Sequence, residues 1–469
     1  MRSIGNPAGG DRDPGDAELR GRTGECCNCP KDPSVKKVEA AVAPLPTALS
    51  RSQKRAFWAA WSGWTMDGMD SFILSLVLVP ALRDVLPKSG IAATTANVGF
   101  YSGLLFALFM VGWGTALVWG PVADRFGRAR TLMFTILWFS LFTLLAALSQ
   151  DVWSLAIFRF LAGVGIGGEW SIGASLVSEE WPEERRVVGG CWMHTGYYFG
   201  LLLAALANYF VGSQFGWRWM FVVGGCPALL VAFFYNRIHE PERWKKKRAE
   251  LGGNLAMHKS FLKLFSPEYR GRTILNSIYL IASIVGLWAG SVYVPSAVTY
   301  LAERAGESAT RGAQLASYAT ALLGIGTIVA ALLTPLLAKH VGRRATLAVY
   351  FALMLIFLPL SFGYVFYMGT NALGWFLVCT FLLGIGGANF VVYSFWIPEQ
   401  YSTECRVSAF AFSTNSGRFA GAGLTFLVGA GIRHFGTLGT PVALTALAFV
   451  VGLALLPFGT ETKGKALPE

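Results

Sequence analysis

The chain is built from successive stretches of about twenty predominantly apolar residues, each long enough as a helix to cross the roughly 30 Å hydrocarbon core of a bilayer. We read twelve of them, at roughly 56–79, 98–120, 131–149, 153–177, 188–211, 217–236, 272–300, 313–338, 346–367, 372–396, 408–432 and 438–458. With 54% hydrophobic and only 14% charged residues over 469 positions, a soluble enzyme is excluded. The expected fold is an all-α membrane protein of twelve transmembrane helices.

The formal charge of +12 raises the possibility of a nucleic-acid partner, but its distribution indicates membrane topology instead. Most Lys and Arg outside the first fifty residues fall before span 1, in the even-numbered loops or after span 12. Positive loops stay on the cytoplasmic side, so both termini and the long loop 237–271 are expected there. The basic run "RWKKKR" (243–248) then sets topology or meets anionic lipid. Residues 1–50 hold no apolar run of signal-peptide type and read as a disordered cytoplasmic tail. Cys26, Cys27 and Cys29 in that tail supply three thiols without the fourth ligand of a structural zinc site, so no metal or cofactor is expected.

The long basic loop divides the chain into an N-terminal six-helix half (51–236), a linker (237–271), a C-terminal six-helix half (272–458) and a short tail (459–469). The halves repeat one another. "GPVADRFGRAR" (120–130) follows span 2 and "TPLLAKHVGRR" (334–344) follows span 8. "GIGG" recurs at 165–168 and 384–387, and "SEEWPEERR" (178–186) matches "PEQYSTECR" (398–406). Duplicated halves of this kind characterise secondary transporters, with the substrate at mid-membrane between them.

These motifs resemble those of the major facilitator superfamily from about residue 55 to the end of the chain. "GPVADRFGRAR" is similar to its loop 2–3 signature, and "RFLAGVGIGGEW" (159–170), "PEQYSTECR" and the terminal "ETKGKALPE" are further traits. "MDGMD" (66–70) with "GGEW" and "VSEEWPEERR" looks most like the sialate and aromatic-acid proton symporters, while the terminal tail is shared with sugar porters. The resemblance implies a two-half major facilitator fold. It also implies a cytoplasmic gate latched by the loop acid, which falls on Asp124, pairing with basic residues such as Arg406 across the halves. Arg125, Arg128 and Glu179 belong to the same motifs. The second copy has Lys339 where the first has Asp124, so the latch role carries over to Asp124 alone; the alternative for the arginines is that they only fix topology.

Few charges lie inside the spans. Asp67, Asp70 and Glu169 are the acids, Arg159 and Arg418 the bases, and His194 the one histidine well inside a span. Each ionised group at mid-bilayer costs about 2.5–3.5 kcal/mol on insertion scales, which marks it as a functional candidate. Counting about 1.5 Å per residue, Asp70 and Arg159 both lie about 21 Å from the cytoplasmic side, so they can pair. Asp67 sits one turn deeper on a neighbouring part of the same face. The resemblance agrees, since related proton-coupled sugar porters partner an Asp of span 1 with an Arg of span 4. An Asp beside Arg stays ionised, and parted from it takes a proton; making and breaking the pair would couple protons to transport. The alternatives are a permanent ion pair that fixes packing, or Asp67 as the carrier. Glu169 and His194 fall at a similar depth, where contact between them would relay protons or simply pack.

Arg418, near the middle of span 11 in "STNSGRFAGAG" (413–423), finds no acid inside any second-half span. A buried guanidinium needs a counter-charge, and a planar carboxylate matches its donors. Organic-anion carriers of the superfamily place an arginine there, so the resemblance implies a carboxylate ligand; pairing with Asp67 or Asp70 is the alternative. Near the same level lie Trp64, Tyr197, Tyr198, Trp288, Tyr293 and Tyr393, with Asn389 and Asn415 as polar neighbours, candidates for lining an apolar site with a few polar anchors. The expected activity is therefore proton-driven symport of a small organic anion by a monomer in a bacterial inner membrane. Sugar or polyol symport is the nearest rival, and drug/proton antiport a weaker one. Neither an HExxH nor a nucleophile-elbow pattern is present, so no enzyme is expected.

Overall fold

The structure is a computed structural model that describes residues 49–227, 229, 240–250 and 257–468. The tail with its three cysteines, part of the linker and the end of span 6 lie outside the described residues, as does the side chain of Trp288. Among the described residues the chain is helical, with no strand.

All twelve expected spans are present as helices, span 6 only in its opening turns. Seven helical stretches are long and apolar enough to cross a membrane: spans 2 (Phe100–Phe126), 3 (Arg128–Ala146), 4 (Val152–Glu180), 8 (Gln314–Val341), 9 (Arg343–Tyr367), 10 (Ala372–Gln400) and 12 (Gly439–Phe458). The others are span 1 (Arg51–Lys88), span 5 (Arg186–Ala207), span 6 (Trp217–Gly224), span 7 (Arg270–Arg304) and span 11 (Arg406–Phe435). For spans 1, 5 and 11 the lower hydropathy has a structural cause. They carry the buried polar groups Asp67, Asp70, His194, Asn415 and Arg418, which point into protein and not lipid.

Packing follows the sequence repeat. In the first half span 1 lies along span 5 and span 2 along span 4; in the second, span 7 lies along span 11 and span 8 along span 10. The halves meet where span 2 packs on span 11 and span 5 on span 8, again the same contact twice. Close approach at two of these crossings depends on glycine. An added Cβ at Gly112 would fall 2.2 Å from the Phe160 carbonyl oxygen, and one at Gly384 would fall 2.2 Å from that of Leu323. The small residue lets backbones touch where no hydrophobic force between helices is available.

Spans 4 and 10 are each broken once at their "GIGG" copy, span 4 within it and span 10 just after it. The first segment of span 4 ends at Ile166 and a second runs Glu169–Glu180; span 10 stops at Gly387 and resumes at Asn389–Trp396. Interrupted helices at matching places in two repeats mark the region where transporters hold ligand.

Candidate functional site

Beside these breaks a cavity lies between the halves. Spans 1, 2, 4 and 5 contribute Trp64, Phe72, Trp113, Trp170, His194, Tyr197 and Tyr198, and spans 8, 10 and 11 contribute Leu323, Phe390 and Arg418. The wall is mostly aromatic ring. Trp64 and Trp170 stack at 5.6 Å and 20°. Arg418 is 2% exposed, with its guanidinium carbon 3.2 Å from the centroid of the Trp113 ring. Its Nε and Nη1 have no hydrogen-bond partner among the described residues. The indole face spreads some of the charge, but the donors stay unmet.

Asp70 and Arg159 do meet, as the depth count predicts. Arg159 Nη1 reaches both carboxylate oxygens at 3.2 Å. Thr143 of span 3 donates to Asp70 Oδ1 at 2.9 Å and accepts from Arg159 Nη2 at 2.7 Å. The Phe221 ring lies 4.7 Å beneath the guanidinium. Asp67 is also fully buried, yet among the described residues it receives only a 3.3 Å bond from Ser71, and its Oδ2 has no partner there.

The expected contact between Glu169 and His194 is not formed. Glu169 opens the second segment of span 4, and the break turns its carboxylate toward span 3, where Thr135 donates to Oε1 at 2.6 Å. His194 faces the other half instead. Its Nδ1 shares a 3.2 Å hydrogen bond with Ser394 of span 10, whose hydroxyl also accepts from Trp170 Nε1 at 2.8 Å. Asn389, Asn415 and Tyr293 also depart from expectation, because none of them lines the cavity. Asn389 donates to the Gly386 carbonyl at its own helix break. Asn415 is buried, with neither amide atom partnered among the described residues. Tyr197 does line the cavity.

At the end of the bundle rich in Lys and Arg, the halves are tied together. Glu179 Oε1 accepts from Arg128 of its own half at 3.2 Å and from Arg406 of the other at 2.9 Å, all three buried. Asp124 does not reach Arg406. Its Oδ2 accepts from the backbone N–H of Ser408 at 3.0 Å and from the Ser408 hydroxyl, while Oδ1 pairs with Arg128 at 3.1 Å. Glu179, positioned between the two guanidiniums, takes the place the motif assigns to Asp124. Arg125 stands outside this network, exposed beside Phe126.

The second repeat has its own version, with Arg343 on Glu399 at 2.8 Å and Lys339 exposed. Two acids that sequence reasoning missed complete the symmetry. Glu240 accepts from the backbone N–H groups of Ala129 and Arg130, and Glu461 from those of Arg343 and Arg344. Each caps the helix that follows a glycine of positive φ, Gly127 or Gly342. Their signal in the sequence was position, one acid after each sixth span. Burial pushes the Glu461 carboxyl up, but the N–H groups of Arg343, Arg344, Lys463 and Thr462 outweigh it and hold it below the usual glutamate value. The last described residues fold over this end: Leu467 N–H donates to Glu183, and Arg406 donates to the Pro468 carbonyl at 2.6 Å.

Sequence reasoning also missed Trp113, Trp170 and Ser394, since an apolar run discloses how deep a residue lies and not which way it faces.

Two helical halves around an interfacial cavity suit a substrate carrier, and comparison with known proteins agrees. The sequence profile of the Major Facilitator Superfamily matches residues 60–422. A probable 4-methylmuconolactone transporter of Cupriavidus pinatubonensis is 30% identical over 434 residues, covering 89% of this chain and 93% of that protein. The niacin transporter NiaP of Acinetobacter baylyi is 26% identical, covering 87% and 94%. Among solved structures, the proton:xylose symporter XylE bound to 6-bromo-6-deoxy-D-glucose superposes with a TM-score of 0.73 at 18% identity, covering 89% and 98%, which speaks to the fold. The chain belongs to the Major Facilitator Superfamily and is a membrane transporter, not an enzyme.

Proposed function

We propose that this transporter carries a small organic carboxylate together with protons, by alternating access of the halves 51–236 and 272–458 around the aromatic cavity. The observation that carries the reading is Arg418: a buried guanidinium in the cavity wall, with Nε and Nη1 unpartnered. A buried cation left this way is costly unless an anion arrives, and a carboxylate meets it in the plane of its donors. The relatives named for niacin and for a muconolactone support an organic-acid substrate. A polyol would find few acceptors on a wall of indole and phenyl rings.

Proton coupling falls to Asp70, paired with Arg159, with Asp67 one turn away and its Oδ2 free. Protonation of Asp70 would weaken its hold on Arg159 and ease the passage between states. Glu169 and His194 would serve as separate stations in this scheme and not as one relay. With the basic end cytoplasmic by the positive-inside rule, the latch of Asp124, Arg128, Glu179 and Arg406 closes the cytoplasmic gate, and the cavity belongs to the outward-facing side of the cycle. The site would lie in a bacterial inner membrane, in a monomer with both termini inside.

The test uses purified protein in liposomes loaded with a pH dye, against empty liposomes. Protein-dependent lumenal acidification on adding monocarboxylates or aromatic acids, abolished in Arg418→Ala, is the expected result. Acidification by sugars alone, or by acids equally well without Arg418, would overturn it.

A further inference from the structure

Arg418 is not the only unmet donor in the cavity wall. Trp64 of span 1 is 3% exposed, its ring forms part of the wall, and its indole N–H has no acceptor among the described residues. Its neighbour in the stack, Trp170, differs on this point: the Trp170 N–H is committed to Ser394 at 2.8 Å. Within the stacked pair, only Trp64 has a hydrogen bond left to give. A buried donor left unpaired costs about 1–3 kcal/mol, and an indole can donate but never accept. The Tyr197 hydroxyl in the same wall is also unpartnered among the described residues, but a phenol can accept as well as donate, whereas an indole and a guanidinium only donate. These two donor-only groups lie on different halves, Trp64 on the first and Arg418 on the second.

We infer that the Trp64 N–H is a second recognition point, so that the ligand is a flat carboxylate with a hydrogen-bond acceptor on the part remote from its carboxylate. The carboxylate meets Arg418, and the remote acceptor (a ring nitrogen or a carbonyl) meets Trp64. The slab-like faces of Trp64, Trp170 and Phe390 and the ring of Tyr197, 4.8 Å from Trp64, suit a planar body. A ligand of this kind spans both halves and so draws them together. The inference rests on the proposed carboxylate transport and narrows its substrate class. It follows the rule that a site built to donate a hydrogen bond rejects the isostere that cannot accept one.

The experiment measures Kd by titration calorimetry on the full chain in lipid nanodiscs. The probes are benzoate, pyridine-3-carboxylate, pyridine-4-carboxylate, and 3- and 4-acetylbenzoate. The pyridine acids differ from benzoate by one ring atom, C–H against N. At least one acceptor-bearing acid is expected to bind about tenfold more tightly than benzoate. Trp64→Phe, which keeps a ring in the stack and loses the N–H, should bring that ratio to about one, whatever the smaller ring does to the affinity for benzoate itself. Arg418→Lys should weaken every probe. Equal binding of all the acids with full dependence on Arg418 would overturn the Trp64 role and leave the carboxylate reading standing. Discrimination that survives Trp64→Phe would do the same. If none of the acids binds the wild type, both readings fall. Should Trp64→Phe bind none of the probes, Tyr197→Phe decides: a wild-type ratio that survives the loss of that hydroxyl keeps the role with Trp64, and a ratio that falls to one overturns it.

Discussion

Arg159 and Arg418 are the same side chain at nearly the same burial, in opposite circumstances. Arg159 has Asp70, Thr143 and the Phe221 ring around it, whereas Arg418 has an indole face and two donors without acceptors. A satisfied guanidinium holds structure or switches state, and an unsatisfied one waits for a ligand. That difference separates two predictions. Replacing Arg418 removes binding. Asp70→Asn removes the counter-charge of Arg159 at a cost of about 3–5 kcal/mol to the pair, so uphill accumulation of acid should be lost while exchange of labelled for unlabelled acid persists. Uptake against counterflow in liposomes checks it, and undiminished accumulation would reduce the pair to a packing device. Asp70 and Arg159 were legible from the sequence because counting residues along two spans gives depth. Trp113, Trp64's free N–H and the Ser394 junction were not, because they depend on rotation about the helix axis and on which neighbour already holds each donor.

The helices carry a second level of information, since the main contacts within and between the halves occur twice. Span ends fall within several residues of the apolar edges, and the "GIGG" copies mark breaks as well as close approach. Gly384→Ala should push span 10 off span 8, because the new methyl would meet the Leu323 backbone at 2.2 Å with no flexible atom to yield. Overpacking of this kind costs about 1–3 kcal/mol, read as a melting temperature several degrees lower in detergent. Glu461 offers a different test at the start of span 9. Its folded-state carboxyl is held below the ordinary value of 4.5, so its contribution is complete above that pH and is lost as pH falls through the depressed folded value. Glu461→Gln should therefore lower the melting temperature at pH 7 and make less difference as the medium is acidified below pH 4.5. A deficit that stays constant with pH would mean that the carboxylate's charge does not matter to the cap. The caps themselves escaped sequence reasoning because Glu240 and Glu461 act on helices more than a hundred residues away.

For the whole molecule, the question is what holds the basic end shut, and the burden rests on few atoms. One oxygen of Glu179 serves Arg128 from the first half and Arg406 from the second, and Asp124 adds the bond to Ser408. Glu179→Gln would leave two buried guanidiniums facing each other with one carboxylate, Asp124, remaining on Arg128's side. Since every 1.4 kcal/mol is a factor of ten in population and a broken buried pair costs about 3–5 kcal/mol, the balance should move toward the state open at this end. The chain provides its own reporter: Cys405, fully buried and adjacent to Arg406. With the other cysteines replaced by serine, labelling of Cys405 by a membrane-impermeant maleimide applied from the basic side should rise at least about tenfold in Glu179→Gln. Binding of acid from the opposite side should weaken in step, because a ligand selecting the closed-end state must first pull the population back. Labelling that stays at the wild-type rate would show that the remaining bonds across the halves, Ser408 to Asp124 and Arg128 to the Thr403 carbonyl, suffice to close the end. The Arg128–Glu179–Arg406 chain would then be a contact between the halves that does not set their balance.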